Sequence, residues 1–212
     1  MSRPRLTVIA VVSLLVTGLL ALAVSRGFNG FRLERHTLHL LGHPQATDRW
    51  GQFADLLAAP VIAAVAVTSL VFGALRGIAG RVALFAAFAG IAFLISEQIM
   101  KPLVQGRFQG MLSFPSGHVT AVCATALAMW LALYPVLGRW ARITTFLLGV
   151  VWTGLISLAV VGALWHTPID DIGSFFLSVG VVTAGAAALA PKRAPEQGRV
   201  PPAAPARVME RV

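Results

Sequence analysis

The chain has 212 residues, of which 57% are hydrophobic and only 12% are charged, and its mean hydropathy is +0.80. Soluble domains carry about 25% charged residues, so this composition excludes a soluble globular protein and predicts one that crosses a membrane several times. The formal net charge of +9 indicates membrane topology and contact with anionic headgroups, because no nucleic-acid-binding motif accompanies it. The single cysteine, Cys123, excludes an intramolecular disulfide and a cysteine-based metal cluster.

Six apolar stretches are long enough to cross a bilayer, which requires about 20 residues of helix. We therefore predict an all-α polytopic membrane protein with six transmembrane helices in one domain, residues 1–190. The first stretch follows a basic start but is too long for a signal-peptide core, so we expect it to be retained. The spans are predicted near Leu6–Val24, Leu56–Leu75, Val82–Met100, His118–Leu137, Ile143–Leu164 and Ile172–Ala190.

The basic residues indicate how these spans are oriented. Eleven of the 17 lie in the two terminal segments and in the connections on the same side of the membrane as the termini. The positive-inside rule then predicts that both termini are cytoplasmic. Compactness and composition favour the inner membrane of a bacterium, with the remaining polar connections on its outer face.

The longest outer connection, Ser25–Asp55, contains the segment FRLERHTLHLLGH. Its apolar residues recur at helical spacing, which predicts an amphipathic helix lying in the membrane interface. The segment carries three histidines that could form a metal-binding face, although ordinary interfacial histidines are the favoured interpretation: His36, His39 and His43. The proline- and arginine-rich tail, residues 191–212, is predicted to be disordered and to contact anionic lipid.

Two polar clusters on the outer face are suited to binding an anion. In FPSGH, Ser116 is a good helix N-cap, and Gly117 lets a ligand approach the helix N-terminus, which attracts negative charge. In KPLVQGR, Lys101 and Arg107 add full positive charges. Each feature alone has an ordinary explanation, since a capped helix start and snorkelling interfacial cations are both common.

A third cluster, HTPIDD, supplies groups that can react. His166 can transfer a proton or attack an electrophile, and Asp170 follows it by one helical turn, within reach of its ring. His118, at the end of FPSGH, is a second proton carrier. Taken alone, Thr167–Asp170 is better explained as a capping box with proline at the first helical position. Together, an anion cradle, two histidines and a carboxylate on one membrane face predict phosphoryl transfer through histidine.

These residues resemble the motifs of the type 2 phosphatidic-acid phosphatase superfamily, integral-membrane lipid phosphatases related to vanadium haloperoxidases. The family pattern is Lys-x6-Arg-Pro, then Pro-Ser-Gly-His, then Ser-Arg-x5-His-x3-Asp. The middle motif matches fully at Pro115–His118, and the last half of the third matches at His166 and Asp170. The resemblance covers the chain from about Leu56 to Ala190 and agrees with the layout of six spans.

The resemblance implies a role for each matching residue. His166 would be the nucleophile that forms a phosphohistidine, oriented by Asp170, while His118 would protonate the leaving group. The phosphate would be bound by the remaining motif residues, and neither a metal nor another cofactor is implied. These phosphate-binding residues are Lys101, Arg107, Ser116 and Gly117.

The chain departs from the family pattern at two places. The first motif is one residue short between Lys101 and Arg107 and lacks its proline. In the third motif Ala159 and Val160 replace Ser-Arg, so the second phosphate-binding arginine is missing. Because phosphoryl transfer depends on electrostatic stabilisation, this loss would slow the reaction unless another cation substitutes. The candidates are Arg35 and Arg49 in the first outer connection.

The predicted function is hydrolysis of a membrane lipid phosphate or diphosphate, with a polyprenyl carrier lipid favoured and phosphatidic acid or phosphatidylglycerol phosphate also open. The predicted partners are this lipid and the bilayer, not nucleic acid, and the sequence leaves the oligomeric state open. The alternative is a catalytically impaired homologue that binds lipid phosphates as an accessory protein, which the missing arginine favours. A transporter is disfavoured because even Glu97, the ionisable residue closest to the centre of a span, lies near its outer end.

Overall fold

The computed structural model describes residues 2–28, 44–108 and 110–191, which form helices joined by short turns. This confirms the predicted all-α membrane fold. The segment 29–43, with its three histidines and Arg35, and the tail from residue 192 lie outside the described residues. The elements are α1 Arg3–Ser25, α2 Pro44–Leu57, α3 Ala59–Leu75, α4 Ala79–Leu94, a π-helical turn Ile95–Met100, α5 Lys101–Val104, β1 Arg107–Phe108, β2 Met111–Leu112, α6 Gly117–Leu133, α7 Arg139–Gly162 and α8 Pro168–Leu189.

Five helical stretches within the described ranges are long and apolar enough to cross a membrane, and each overlaps one predicted span. Helix α6, which overlaps the remaining predicted span, is shorter, at 17 residues. Large apolar side chains such as Leu15, Leu19 and Leu148 are more than 60% exposed, as expected for side chains that face lipid. The five stretches are Arg3–Ser25, Thr47–Leu75, Ala79–Val104, Arg139–Gly162 and Pro168–Leu189.

Helix α8 lies at the centre of the bundle and packs against α1, α4 and α6. Glycines on α8 allow this close approach, because a Cβ at Gly180 would overlap Leu14 and one at Gly185 would overlap Phe88. Small residues at helix contacts are typical of membrane proteins, where burial in lipid gives no hydrophobic drive for helices to associate. The glycine spacing along α8 therefore determines which faces of α1 and α4 it contacts.

Hydroxyl groups connect the N-terminal ends of α8 and α6 in a polar ladder, defined here as Ser174, Ser178, Ser116 and Thr120. Ser174 Oγ donates to the carbonyl oxygen of Ser116 over 2.9 Å, and Ser178 Oγ donates to that of Thr120 over 3.1 Å. Each hydroxyl has a single proton, which it shares with the carbonyl one turn back in its own helix, at 2.7 Å for Ser174 and 2.8 Å for Ser178. The ladder brings the N-terminal ends of α6 and α8 side by side, and with them two of the three polar clusters.

Helix α2 covers the end of α7 that is nearest to the polar clusters. Ala54 is fully buried, and a Cβ at Gly162 of α7 would overlap the ring of Trp50. In return, Trp152 of α7 donates from Nε1 to the carbonyl of Leu57 over 2.9 Å. The residues of α2 were predicted to belong to the outer connection, but its packing as a cover over α7 was not predicted.

The ladder predicts a measurable contribution to stability. Replacing Ser178 by alanine should lower the free energy of unfolding by about 0.6 kcal/mol, the average for an interhelical hydrogen bond in a membrane protein. Thr183→Val is the matched control, because the Thr183 hydroxyl donates to a carbonyl of its own helix. Unfolding in mixed detergent micelles measures both variants, and an equal loss in the two would contradict an interhelical role for Ser178.

Candidate active site

His166 lies in the turn between α7 and α8 and is 8% exposed. Its Nδ1 lies 2.9 Å from the carbonyl oxygen of Ser113, and its backbone N–H donates to the carbonyl of Val160 over 3.4 Å. Because a carbonyl oxygen only accepts hydrogen bonds, Nδ1 carries the proton in this arrangement. Nε2 is then left with a free lone pair, as a nucleophile or base requires.

Asp170 lies beside His166, but its nearest carboxylate oxygen is 3.9 Å from Nδ1, which is too far for a hydrogen bond. That oxygen accepts from the backbone N–H of Thr167 over 2.8 Å, and the backbone N–H of Asp170 donates to Thr167 Oγ1 over 3.4 Å. The predicted capping box at the start of α8 is therefore present. The imidazole is oriented by the hydrogen bond that its Nδ1–H donates to the Ser113 carbonyl. Sequence reasoning missed this contact because a backbone group carries no sequence signal.

The pKa of His166 is lowered from 6.5 to about 3, first by burial and then by the positive charges of Lys101 and His118. Its hydrogen bond to Ser113 acts in the opposite direction and is outweighed. His166 is therefore a neutral imidazole at physiological pH. Lys101 and His118, two other predicted site residues, are the cationic groups that act on its pKa.

Lys101 is held by a carboxylate that the sequence motifs do not include. Its Nζ lies 2.9 Å from Glu97 Oε2, with hydrogen-bond geometry, and 2.8 Å from Oε1. Glu97 belongs to the π-helical turn, a distortion that is frequent at functional sites. A Cβ at Gly117 would overlap Oε1, so the carboxylate lies directly against the first residue of α6. The spacing of four residues between Glu97 and Lys101 was the available signal for this contact.

The start of α6 presents His118 to the site. Ser116 is the N-cap, and its buried Oγ accepts from the backbone N–H of Val119 over 3.5 Å, which leaves the side chain engaged in capping. His118 Nε2 lies 3.5 Å from a carboxylate oxygen of Asp55 in α2, and its ring packs against Trp165 with 5.5 Å between centroids. Both His118 and Asp55 remain partly exposed, so their contact with each other is reachable from solvent.

Arg107 does not line the cavity that Lys101 and His118 line. It is exposed in strand β1, and its Nη1 donates to the carbonyl of Gly110 within the same hairpin over 3.2 Å. Arg49, one of the suggested replacements for the missing cation, lies on an exposed position of α2.

Val160, which stands where the family pattern has arginine, is fully buried in an apolar cluster with Ile156, Val122 and Ala54. Helix α2 contributes Ala54 to this cluster and so packs over position 160. An arginine here would have to place an unpaired charge among these side chains, which is strongly unfavourable. The local packing around position 160 is therefore apolar and suited to valine.

Lys101 and His118 open into a cavity of about 630 Å³, whereas His166 is not among the residues that line it. One end is lined by Glu97, Lys101, Gly117 and His118. From there the cavity continues between α3, α4 and α6, where alanine, glycine and other apolar residues line it as far as Met129. The stretch from Gly117 to Met129 corresponds to about 18 Å of helix, so the cavity runs deep into the membrane-spanning part of the bundle.

Comparison with known proteins gives one informative likeness. The solved structure of a transmembrane PAP2-type phosphatidylglycerolphosphate phosphatase from Bacillus subtilis superposes with a TM-score of 0.67. The alignment covers 84% of this chain and 94% of that one, at 17% sequence identity. The chain has the PAP2-type fold. The predicted resemblance is thereby confirmed at the level of the fold, whereas neither the protein-family models nor the curated proteins contain a match.

The environment of His166 in this PAP2-type fold predicts an unusual titration. With ¹⁵N-labelled histidine, its ring signals should remain those of the neutral Nδ1–H form from about pH 8 to about pH 4, since its pKa is about 3. The denatured chain should instead titrate near its ordinary value of 6.5. Because the unfolded state binds this proton first, His166 should also make the protein less stable as the pH falls from 6.5 towards 3.

Loss of the assigned signals in His166→Asn identifies them in the spectrum. A transition of the folded protein near pH 6.5 at this residue would contradict the buried, neutral imidazole.

Proposed function

We propose that this protein is a membrane lipid phosphatase that acts through a phosphohistidine at His166. The observation that carries the proposal is the neutral imidazole of His166, whose Nδ1 is held by the Ser113 carbonyl and whose Nε2 is free. Lys101 and His118, which influence its charge, line the polar end of a deep apolar cavity. A cation and a proton donor at the mouth of an apolar groove, together with a nucleophile whose charge they influence, suit the headgroup of a lipid phosphate.

In the first step, the lone pair of Nε2 attacks phosphorus, and the bond between phosphorus and the lipid oxygen breaks. Protonated His118 gives its proton to that oxygen, so the lipid leaves as a neutral alcohol. Asp55, 3.5 Å from His118 Nε2, suits a histidine that carries a positive charge before the transfer. Lys101 and the N-terminus of α6 stabilise the negative oxygens of the transferred group.

In the second step, neutral His118 accepts a proton from a water molecule as the water oxygen attacks phosphorus. The bond between phosphorus and Nε2 breaks, which returns His166 to its neutral form and releases inorganic phosphate. Asp170, 3.9 Å from Nδ1, stabilises the positive charge that the ring carries while it is phosphorylated. This is the role we propose for Asp170, beside the capping that it also performs.

The number of cations at the site bears on the substrate. Among the described residues that line the cavity, Lys101 is the one with a permanent positive charge, and Arg107 bonds within its own hairpin. This favours a phosphate monoester over a diphosphate, which carries more negative charge. Phosphatidic acid, phosphatidylglycerol phosphate and a polyprenyl monophosphate all fit this description, and the polyprenyl carrier remains part of the proposal. From the distribution of basic residues, we propose that the site faces the outside of a bacterial inner membrane.

Phosphate release from these three lipids in detergent tests the reaction. Wild-type protein should release phosphate from at least one of them, and His166→Ala should reduce the rate by at least about a thousandfold, because it removes the nucleophile. Rapid quenching should trap a phosphoenzyme that is labile in acid and stable in base, as expected for phosphohistidine. Equal rates in the two proteins would rule out the catalytic role of His166. Saturable lipid binding without release by the wild type would favour the impaired accessory protein.

The cavity predicts a dependence on the length of the lipid tail. Ala121→Phe places a ring in the middle of the cavity, and should raise KM for a long-chain lipid phosphate about tenfold while sparing a water-soluble phosphate ester. Ala126→Phe is the matched control, because Ala126 lies on the same helix but lines a different cavity between α6 and α7. Equal effects of Ala121→Phe on both substrates would show that the tail does not occupy this cavity.

A further inference from the structure

The position where a phosphate would bind is already taken by a negative group of the protein itself. The carboxylate of Glu97 contacts Lys101 Nζ through both oxygens, at 2.8 and 2.9 Å, and lies against Gly117 at the start of α6. Lys101 and the α6 N-terminus are the two elements that the proposed function assigns to the phosphate oxygens. A phosphate and this carboxylate cannot both occupy the space between them.

We infer that Glu97 is an exchangeable counter-ion of Lys101, which occupies the phosphate site when it is empty and limits how tightly phosphate binds there. This inference rests on the proposed function for the identity of the anion that replaces the carboxylate. Glu97 is a positioning residue in this scheme, because it acts on phosphate through Lys101 and through the space it occupies.

The surroundings of Lys101 explain why its side chain needs a counter-ion. The Lys101 side chain is 17% exposed and lies in a cavity lined mainly by apolar residues, where an unpaired ammonium would be costly. Glu97 neutralises it while the site is empty. A bound substrate phosphate would bring its own negative charge, so Lys101 would remain paired after the exchange.

The contacts of Glu97 also indicate that the pair can open. Its Oε1 is buried and has no partner in the described part of the chain other than Lys101 Nζ, 2.8 Å away. Among the described residues, the carboxylate is therefore held by Lys101 alone, through both of its oxygens. The cavity of about 630 Å³ beside it provides room for the side chain to move away when phosphate enters.

Exchange of this kind would also assist turnover. After hydrolysis, inorganic phosphate remains beside Lys101, and the carboxylate competes with it for the same ammonium. Glu97 would thereby weaken the binding of inorganic phosphate, which is negatively charged like the substrate but has no lipid tail. The lipid substrate is affected less, because its tail contributes binding in the apolar cavity.

Binding of inorganic phosphate to the purified full-length protein, measured by isothermal titration in detergent, tests this inference. Glu97→Gln removes the competing charge at nearly constant shape, and should bind inorganic phosphate about tenfold more tightly than the wild type. Product inhibition by phosphate should strengthen by the same factor in an activity assay. Asp48→Asn is the matched control, because it removes one exposed carboxylate from α2, at the same end of the bundle, and should leave phosphate affinity unchanged.

The direction of the change in phosphate affinity distinguishes this inference from a purely structural role of Glu97. If Glu97 only held Lys101 in place, Glu97→Gln would release the lysine and weaken phosphate binding, so weaker, equal or undetectable binding overturns the inference. Glu97→Asp, which keeps the charge but shortens its reach, should bind phosphate with intermediate affinity and serves as well if the glutamine variant does not fold. Turnover of lipid phosphate is measured on the same preparations. An inactive wild type argues against the proposed function. An active wild type, combined with unchanged phosphate affinity in Glu97→Gln, argues only against the exchange.

Discussion

The polar ladder between α6 and α8 is the interaction on which the site depends. Helices in a bilayer gain little from burying apolar surface, so hydrogen bonds and close packing decide how they are paired and in what register. The hydroxyls of Ser174 and Ser178 donate to carbonyls of α6 and place the two helix N-termini next to each other. One of these ends carries Gly117 and His118, and the other follows directly after His166. A shift of one helical turn would move the two histidines about 5 Å apart along the axis and separate the proposed nucleophile from its proposed proton donor.

The site contains few unpaired charges, because an unpaired charge close to the membrane is costly. His166 is kept neutral by burial and by its cationic neighbours, and Lys101 is paired with Glu97. Where the family pattern has a second arginine, Val160 packs into an apolar cluster covered by α2. An unpaired buried charge is strongly unfavourable. The absence of this arginine and the pairing of Lys101 with Glu97 both keep the number of unpaired cations low. This explains why the proposed function favours a phosphate monoester.

The cavity links the chemistry to the membrane. Its polar end contains Lys101 and His118, and its remaining length is lined by small apolar residues of α3, α4 and α6. Helix α6 contributes to both parts, because its first turn carries the site and one face of its later turns lines the cavity. A substrate with a phosphate headgroup and a hydrocarbon tail fits both environments at once. Helix α2 adds Asp55, which lies 3.5 Å from His118, so this helix contributes to the candidate site as well as covering α7.

The sequence alone determined the membrane fold class, since apolar runs of sufficient length have few alternatives in water, and it identified FPSGH and HTPIDD through residue types with specific chemistry. It also predicted the capping box at Thr167 and Asp170, because local hydrogen bonds follow from residue spacing. The contacts between distant segments were decided only by the tertiary structure. The Ser113 carbonyl that orients His166 has no sequence signature. The hydrogen bond of Arg107 within its own hairpin depends on backbone geometry, and the burial of Val160 depends on α2. Glu97 was visible in the sequence as an acidic residue one turn before Lys101, but its place against Gly117 required the packing of the π-helical turn on α6.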